Sequence, residues 1–307
     1  MIKPRPLKQG DSVALLAPSS PVTEEKMTLA LQSIRFLGLD PIPFPSCYMK
    51  NGYLSGTDAA RAKDINDAFL DPSIHGIFCL RGGYGATRIL PLLDYEGISC
   101  NPKFFAGYSD ITALHTVFNK LCGLITYHAP MPSRGYHTLD YFSLESLSDA
   151  VFHGSSPGKV RNPPGEEIET IYPGITLGRI IGGNLSVMAA TLGSPYEVDT
   201  RGKILFIEDV DELSYRIDRN LTALKLAGKL DESAGIILGT FADMPEENVE
   251  PDRTLSLSQI FDQTIHPLRI PTINNFRSGH IYPQITIPMG MTVQLNATEG
   301  TVAFIER

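Results

Sequence analysis

Hydrophobic and polar positions along the chain switch repeatedly between strand and helix periods. From Ser12 to about residue 153, short apolar runs such as SVALLAP and HGIFCL alternate with stretches of helical period. In TEEKMTLALQSIRFLG, for example, Met27, Ala30 and Ile34 fall on one face. Apolar strands that alternate with helices predict a parallel sheet covered on both faces, which is an α/β fold.

The pattern changes twice after residue 153. Residues 154–174 are rich in Pro, Gly and charge and show no helical period, which predicts a linker. Beyond the linker, KILFIEDV and SAGIILGTF predict strands, SYRIDRNLTALKLAG and TLSLSQIFDQTI predict helices, and the end of the chain predicts further strands. The predicted domains are therefore 1–153 and 175–307, the second of mixed α/β type with a β-rich end.

Length and charge narrow the class of protein. A chain of 307 residues exceeds the usual size of one core, which favours two domains. Its 26 basic and 34 acidic side chains give a net charge of -8 without any Lys/Arg run, so no nucleic acid or membrane partner is expected. The apolar run from Val13 to Ala17 is too short for a signal peptide, and no stretch is long enough to span a bilayer. The expected location is the cytoplasm.

The cysteines predict neither a disulfide framework nor a zinc site. Cys47, Cys79, Cys100 and Cys122 show no C-x-x-C spacing. Two of them, Cys79 and Cys122, stand at apolar positions that are typical of a core. We expect reduced thiols, and no metal or other cofactor.

The first candidate for chemistry is Ser109 in FFAGYSDITAL. The strand KFFAG stops there and a helix begins at once, a context that can expose a serine hydroxyl above a sheet beside helix N–H groups. The motif departs from G-x-S-x-G, because Ile111 stands in place of the second Gly. Ser109 or Asp110 would equally suit a helix N-cap. These residues alone leave both interpretations open.

A nucleophilic serine needs a base. His115 lies six residues further along the same helix, on another face and out of reach of Ser109. Three histidines stand at element edges without a companion motif: His75, His153 and His266. His128 in TYHAP and His280 in RSGHIYP remain as candidates.

The stretch KILFIEDVDE supplies a candidate acid to orient that base. Glu208 closes an apolar strand, where ligand sites of open α/β sheets gather, and alternation places Asp209 on the opposite face. Together with Asp211 and Glu212 these acids would also suit a divalent cation or a solvated loop, although their spacing matches no calcium loop.

A glycine-rich turn follows another strand in CLRGGYGATRIL. It lacks both G-x-G-x-x-G and G-K-[ST], so it is a weak phosphate-loop candidate. Adjacent glycines allow a backbone N–H to approach a substrate oxygen closely, and they also suit an ordinary tight turn.

Taken in order, the motifs LLAPSSP, RGGYGA, FAGYSDITAL, GGNLS, LFIEDVDE and GHIYP closely resemble the LD-carboxypeptidases, serine peptidase family S66, from about Asp11 to the C-terminus. The resemblance implies a catalytic triad and two oxyanion-hole N–H groups. The triad would be Ser109, Glu208 and His280, and the N–H groups those of Gly83 and Asp110. A flavodoxin-like N-terminal sheet domain, a mixed C-terminal domain and a homodimer are also implied.

The reaction implied by the resemblance is release of the terminal D-Ala from the cytoplasmic murein tetrapeptide during peptidoglycan recycling. Such a serine carboxypeptidase uses no metal. It must also anchor a free carboxylate, for which Arg81 and Arg88 are candidates by position only. Diaminopimelate and lysine both remain open as the residue before D-Ala.

Two other functions remain open. Within the same family, self-immunity hydrolases cleave peptidyl-nucleotide antibiotics such as microcin C. Their nucleotide pocket typically includes a tryptophan, whereas this chain has none. A non-catalytic small-molecule binding protein would also fit two sheet-rich halves, although an intact Ser, Glu and His set has no purpose in a pure binder.

Overall fold

The structure, a computed structural model, describes residues 1–245 and 253–305. The chain divides into two compact units, one of residues 1–156 with 284–290 and the other of residues 157–283 with 291–307. Each unit contains one β-sheet and packed helices, so the predicted α/β class is confirmed.

Strands and helices are numbered in chain order. The strands are β1 (Ser12–Leu16), β2 (Asp40–Pro43), β3 (Gly76–Cys79), β4 (Phe104–Gly107), β5 (Thr126–His128), β6 (Gly158–Val160), β7 (Glu169–Tyr172), β8 (Ile175–Asn184), β9 (Ile204–Val210), β10 (Gly235–Ala242), β11 (Thr272–Asn274), β12 (Ile287–Met289), β13 (Thr292–Asn296) and β14 (Thr301–Ile305). The helices are α1 (Glu24–Phe36), α2 (Asp58–Leu70), α3 (Ala86–Ile89), α4 (Tyr95–Cys100), α5 (Thr112–Leu121), α6 (Tyr141–His153), α7 (Leu185–Ala190), α8 (Ser214–Leu226) and α9 (Leu257–Thr264). Within the described ranges, no helix has the length and apolar composition needed to cross a membrane.

The first unit is built on a six-stranded sheet of order β12-β5-β4-β3-β1-β2. Strands β1 to β5 are all parallel to one another and follow the flavodoxin-like order 2-1-3-4-5. Every residue of β3 and β4 is buried, as expected for parallel strands covered on both faces. Ligand sites of such sheets lie beyond the carboxyl ends of the strands, and β4 leads directly to Ser109 at that end.

Aromatic rings pack β4 against two helices, α2 and α5. The ring of Phe105 lies 5.0 Å from that of Phe118 on α5, and Phe118 lies 5.5 Å from Phe69 on α2. Both contacts are edge-to-face, the favourable arrangement for aromatic pairs. These buried ring contacts fix the position of β4, the strand that ends two residues before Ser109.

The second unit is built on an eight-stranded sheet of order β6-β14-β13-β8-β9-β10-β11-β7. Strands β8 to β11 are parallel, and the outer strands are antiparallel. Leu205 and Ile207 of β9 pack in a buried cluster with Leu221 of α8 and Ile260 of α9. Alternation then places Glu208, between Ile207 and Asp209, on the other face of β9.

The predicted domains, 1–153 and 175–307, remain a prediction. The strands of the two sheets depart from this division in two places. The predicted linker contains β6 and β7, which are the two edge strands of the second sheet. Edge strands tolerate the charge, Pro and exposure that suggested a linker, so the apolar pattern did not reveal them. The second difference is β12, which lies within the predicted C-terminal domain but pairs antiparallel with β5 in the first unit. Strand periodicity does not specify which sheet a short strand joins.

Candidate active site

Ser109 lies on a sharp turn between β4 and α5. Its φ of 67° falls in the left-handed region, which non-glycine residues rarely adopt and which often marks a functional site. A short 3₁₀ turn, Ser109–Ile111, leads directly into α5. Neither this turn nor α5 begins with a side-chain cap, so the structure does not support the alternative that Ser109 or Asp110 caps the helix.

The glycine-rich turn after β3 packs directly against Ser109. A Cβ atom added at Gly82 would lie 2.8 Å from Ser109 Cβ, 2.9 Å from its Oγ and 3.2 Å from the backbone nitrogen of Asp110. At Gly83, whose φ is 107°, an added Cβ would instead meet the side chain of Ser20. Glycine at position 82 therefore leaves room beside the serine hydroxyl, a role that the sequence did not indicate.

The Asp110 carboxylate ties neighbouring loops to this turn. One oxygen, Oδ2, accepts hydrogen bonds from Ser19 Oγ at 2.6 Å and from the Ala86 backbone N–H at 2.8 Å. Burial raises the pKa of Asp110 above its ordinary value, and these two donors partly offset that effect. The side chain of Asp110 is therefore structural, whereas its backbone N–H belongs to the turn beside Ser109.

A buried arginine also holds these loops in place. Arg61 donates to the carbonyl oxygen of Pro18 and, at 2.9 Å, to that of Gly85. It also pairs with Asp58. Asp58 in turn binds Arg88 through both carboxylate oxygens, at 2.8–3.1 Å. Arg88, one of the two predicted carboxylate anchors, is thus already engaged by an acid.

His115 is a core residue rather than a base for Ser109. Its Nε2 lies 2.9 Å from the carbonyl oxygen of Gly107, and its Nδ1 lies 2.8 Å from Thr126 Oγ1. Because a carbonyl can only accept, Nε2 carries the hydrogen and the Thr126 hydroxyl donates to Nδ1. Burial lowers the pKa of His115 to about 4. A neutral His115 therefore holds the end of β4, two residues before Ser109.

We expect His115 to make the fold sensitive to acid. Its folded pKa of about 4 lies below the ordinary 6.5, so its contribution to stability is complete above pH 6.5 and is lost as the pH falls through about 4. This shift corresponds to a loss on the order of 3 kcal/mol. Urea unfolding at pH 7 and pH 4 should show a smaller acid loss for His115→Gln than for the wild type. His153→Gln, at an exposed position, is the control, and equal losses in all three proteins would contradict this role.

His128, the alternative base, is fully buried at the end of β5. It pairs in register with Gly107, and its ring lies 5.7 Å from that of Tyr108 and 6.4 Å from that of His115. This environment is the core beneath the turn, so His128 is placed with the structural residues of the first unit.

In the second unit the structure brings Glu208 and His280 together. His280 Nδ1 lies 2.7 Å from Glu208 Oε2, although the two residues are 72 positions apart in the sequence. Glu208 is fully buried at the carboxyl end of β9, and the His280 side chain is 9% exposed. A carboxylate at Nδ1 keeps the hydrogen on that nitrogen and leaves the basic lone pair on Nε2. This arrangement orients an imidazole for general-base catalysis.

A glycine makes this contact possible. Gly279 has a φ of 127°, a conformation open only to glycine, and an added Cβ would lie 2.7 Å from Thr240 Oγ1 and 3.0 Å from Glu208 Oε2. The G-H pair of the sequence motif therefore has a physical basis. Position 279 must be small for position 280 to reach the acid.

Two other acids of KILFIEDVDE, Asp209 and Glu212, share Ser186 as a hydrogen-bond partner. Asp209 accepts from Asn184 Nδ2 at 2.8 Å and from Ser186 Oγ at 2.7 Å. It thereby anchors the start of α7, and burial raises its pKa. Glu212 lies 3.3 Å from Ser186 Oγ. Among the described residues, no group of three or more His, Cys, Asp or Glu side chains is arranged to hold a metal ion.

Comparisons with known proteins agree with this fold and these motifs. Residues 13–129 match the family model described as the LD-carboxypeptidase N-terminal domain, and residues 177–295 match that of the LD-carboxypeptidase C-terminal domain. The probable murein peptide carboxypeptidase of Bacillus subtilis is 38% identical over 97% of this chain and 93% of that protein. The microcin C7 self-immunity protein MccF of Escherichia coli is 28% identical over 98% and 95%.

A solved structure extends the comparison to three dimensions. The muramoyltetrapeptide carboxypeptidase of Oxalobacter formigenes matches with a TM-score of 0.81 and 25% identity, over 95% of this chain and 97% of that one. Fold and motifs together define an α/β protein of the peptidase class. The chain belongs to the LD-carboxypeptidase family, peptidase family S66, as the motif order predicted. This membership supports a carboxypeptidase activity.

Proposed function

We propose that this protein is a serine-type LD-carboxypeptidase that releases the terminal D-Ala from murein tetrapeptide. The observation that carries the proposal is the 2.7 Å contact between His280 and the buried Glu208, in a chain of this family. The strained backbone of Ser109 at a strand-to-helix turn supports its role as the nucleophile. Murein recycling would place the enzyme in the cytoplasm, where we propose that it acts as a homodimer.

In the proposed mechanism, Ser109 Oγ attacks the scissile carbonyl while His280 Nε2 takes its proton. His280 then donates that proton to the amine of the leaving D-Ala. In the second half of the reaction His280 takes a proton from water, which attacks the acyl-enzyme, and then returns the proton to Ser109 Oγ. Glu208 keeps the imidazole in the required tautomer and stabilises its positive charge. No metal or cofactor takes part in these steps.

The oxyanion would be bound by the backbone N–H groups of Gly83 and Asp110. The close packing of Gly82 against Ser109 supports this assignment, because the N–H of Gly83 belongs to the peptide that follows Gly82. Asp110 offers the first N–H after the nucleophile, at the start of the 3₁₀ turn that leads into α5, where N–H groups point away from the helix. Arg61 and the Asp110 carboxylate would keep both loops in place.

The proposed activity is tested directly with L-Ala-γ-D-Glu-meso-diaminopimelate-D-Ala. We expect the wild-type protein to release free D-Ala, measured by a coupled D-amino-acid oxidase assay, at the same rate with and without EDTA. A side-chain triad accounts for the chemistry without a metal. Absence of D-Ala release contradicts the proposal. Inhibition by EDTA would indicate a required metal ion, for which the acids of KILFIEDVDE would be the candidate ligands.

A peptidyl-nucleotide hydrolase is the second candidate, because the microcin C7 self-immunity protein matches nearly the whole chain. The two functions are separated by comparing kcat/KM for the tetrapeptide with kcat/KM for cleavage of a glutamyl sulfamoyl nucleoside. In that compound a sulfamoyl group stands in place of the phosphate of a peptidyl nucleotide. Faster cleavage of the nucleoside substrate would favour the second candidate. The chain contains no Trp to stack on a base, which favours the tetrapeptide.

A further inference from the structure

The second unit contains a cavity of about 360 Å³ next to the loop that carries His280. Ile281, the residue after His280, lines it, and so does Thr240, which lies beside Gly279 and Glu208. The cavity is formed at the carboxyl ends of β10 and β11 and by the first two turns of α9. Its volume falls within the usual range of ligand pockets.

One wall of the cavity carries a buried arginine with unused donor capacity. The side chain of Arg277 is 9% exposed, and among the described residues its Nε has no hydrogen-bond partner. One terminal nitrogen donates to the Tyr282 carbonyl at 3.3 Å, and the other lies 3.6 Å from Glu166. A buried guanidinium with an unpaired N–H is suited to bind a carboxylate from a ligand.

The backbone around Arg277 is held firmly in place. Its N–H donates to Asn162 Oδ1 at 2.9 Å, and the same Asn162 donates to the Asn275 carbonyl at 2.6 Å. The arginine is thus positioned by the fold and not by a mobile surface loop. Such preorganisation lowers the entropic cost of binding a charged group.

Two acidic side chains also line the cavity. Asp262, on α9, lines the cavity and is exposed to solvent. Glu169, also a lining residue, is hydrogen-bonded to Asn274 at 2.8 Å. The apolar part of the lining includes Phe241 and Phe261. A cavity lined by a guanidinium, by carboxylates and by apolar rings fits an aliphatic chain that ends in an ammonium and a carboxylate.

We propose that this cavity receives the side chain of the residue before D-Ala and that it selects a side chain ending in an amino-carboxylate. The inference rests on the proposed function, in which the carbonyl of that residue is attacked next to His280, so its side chain starts beside this loop. Arg277 binds the carboxylate and Asp262 the ammonium. Diaminopimelate provides both groups, whereas lysine provides the ammonium alone.

Three tetrapeptides test the proposal, with diaminopimelate, diaminopimelate amidated at its side-chain carboxyl, or lysine before D-Ala. We expect the wild type to prefer the free carboxylate over the amide by about tenfold or more in kcat/KM, the effect of one charge-assisted hydrogen bond. Arg277→Gln should remove this preference by lowering only the rate on the free acid. Asp262→Asn should lower all three rates, because every peptide carries the ammonium. The matched controls are Arg201→Gln and Asp231→Asn, at exposed positions outside the cavity.

The ratio of free acid to amide is the deciding measurement, because a general loosening of the His280 loop lowers both rates equally. A wild-type ratio near one overturns the inference, as does an Arg277→Gln protein that keeps the wild-type ratio. If the wild type releases no D-Ala from any of the peptides, the proposed function itself fails and the inference fails with it. Release of D-Ala without a preference contradicts the inference alone.

Discussion

Replacing Ser109 by alanine should lower the rate of D-Ala release by ~10³-fold or more. The substitution removes the attacking oxygen, whereas His280 and Glu208 would keep their contact because both lie in the other unit. The measurement is kcat for the diaminopimelate tetrapeptide with purified protein. Ser73→Ala, at an exposed turn in the first unit, is the matched control and should retain wild-type activity.

The backbone of Ser109 allows the loss of chemistry to be separated from any loss of fold. Alanine keeps the unfavourable φ of 67°, whereas glycine adopts it without strain. Ser109→Gly should therefore be as inactive as Ser109→Ala but more stable, by about 1 kcal/mol in urea unfolding. An active Ser109→Gly protein would contradict the nucleophile assignment. Equal stability of the two variants would show that the turn is not strained.

Much of the fold could be predicted from the sequence because most strands are short apolar runs with a helix between them. The parallel strands β1, β3 and β4 and the helix α1 are all indicated by this alternation. The edge strands β6 and β7 were not, because exposed strands do not need an apolar face. The placement of β12 depends on pairing between residues about 160 positions apart, and no local pattern records such pairing.

For the site, the sequence indicated the residues proposed to carry the chemistry. It did not indicate the residues that hold them in place. The pairing of Glu208 with His280 agrees with the order of the motifs, although the full set with Ser109 remains a prediction. The supporting residues Arg61 and Gly82 were missed. An arginine within a helical period predicts an exposed side chain, whereas Arg61 is fully buried against two loop carbonyls. The two adjacent glycines did not reveal which of them packs against Ser109.

Replacing Glu208 by glutamine should lower kcat by about 10²–10⁴-fold with little change in KM. The carboxylate accepts the Nδ1–H of His280 at 2.7 Å in a fully buried position, so an amide of the same shape removes the charge and disturbs the tautomer. Glu208→Asp keeps the charge but shortens the side chain, and an intermediate rate is expected. Kinetics with the diaminopimelate tetrapeptide measure both effects, and circular dichroism monitors the fold.

Glu197→Gln provides the control for loss of a paired carboxylate in the same unit. Glu197 lies 2.6 Å from Lys229 and belongs to neither the Glu208 motif nor the His280 motif, so its loss should leave kcat unchanged. If Glu208→Gln retained wild-type kcat, the buried pair would be structural, and the base that activates Ser109 would have to be sought elsewhere. If instead the variant loses activity but unfolds at the wild-type urea concentration, the carboxylate acts on His280 and not on the stability of β9. The buried charge is then retained for catalysis, because a buried acid contributes little to stability on its own.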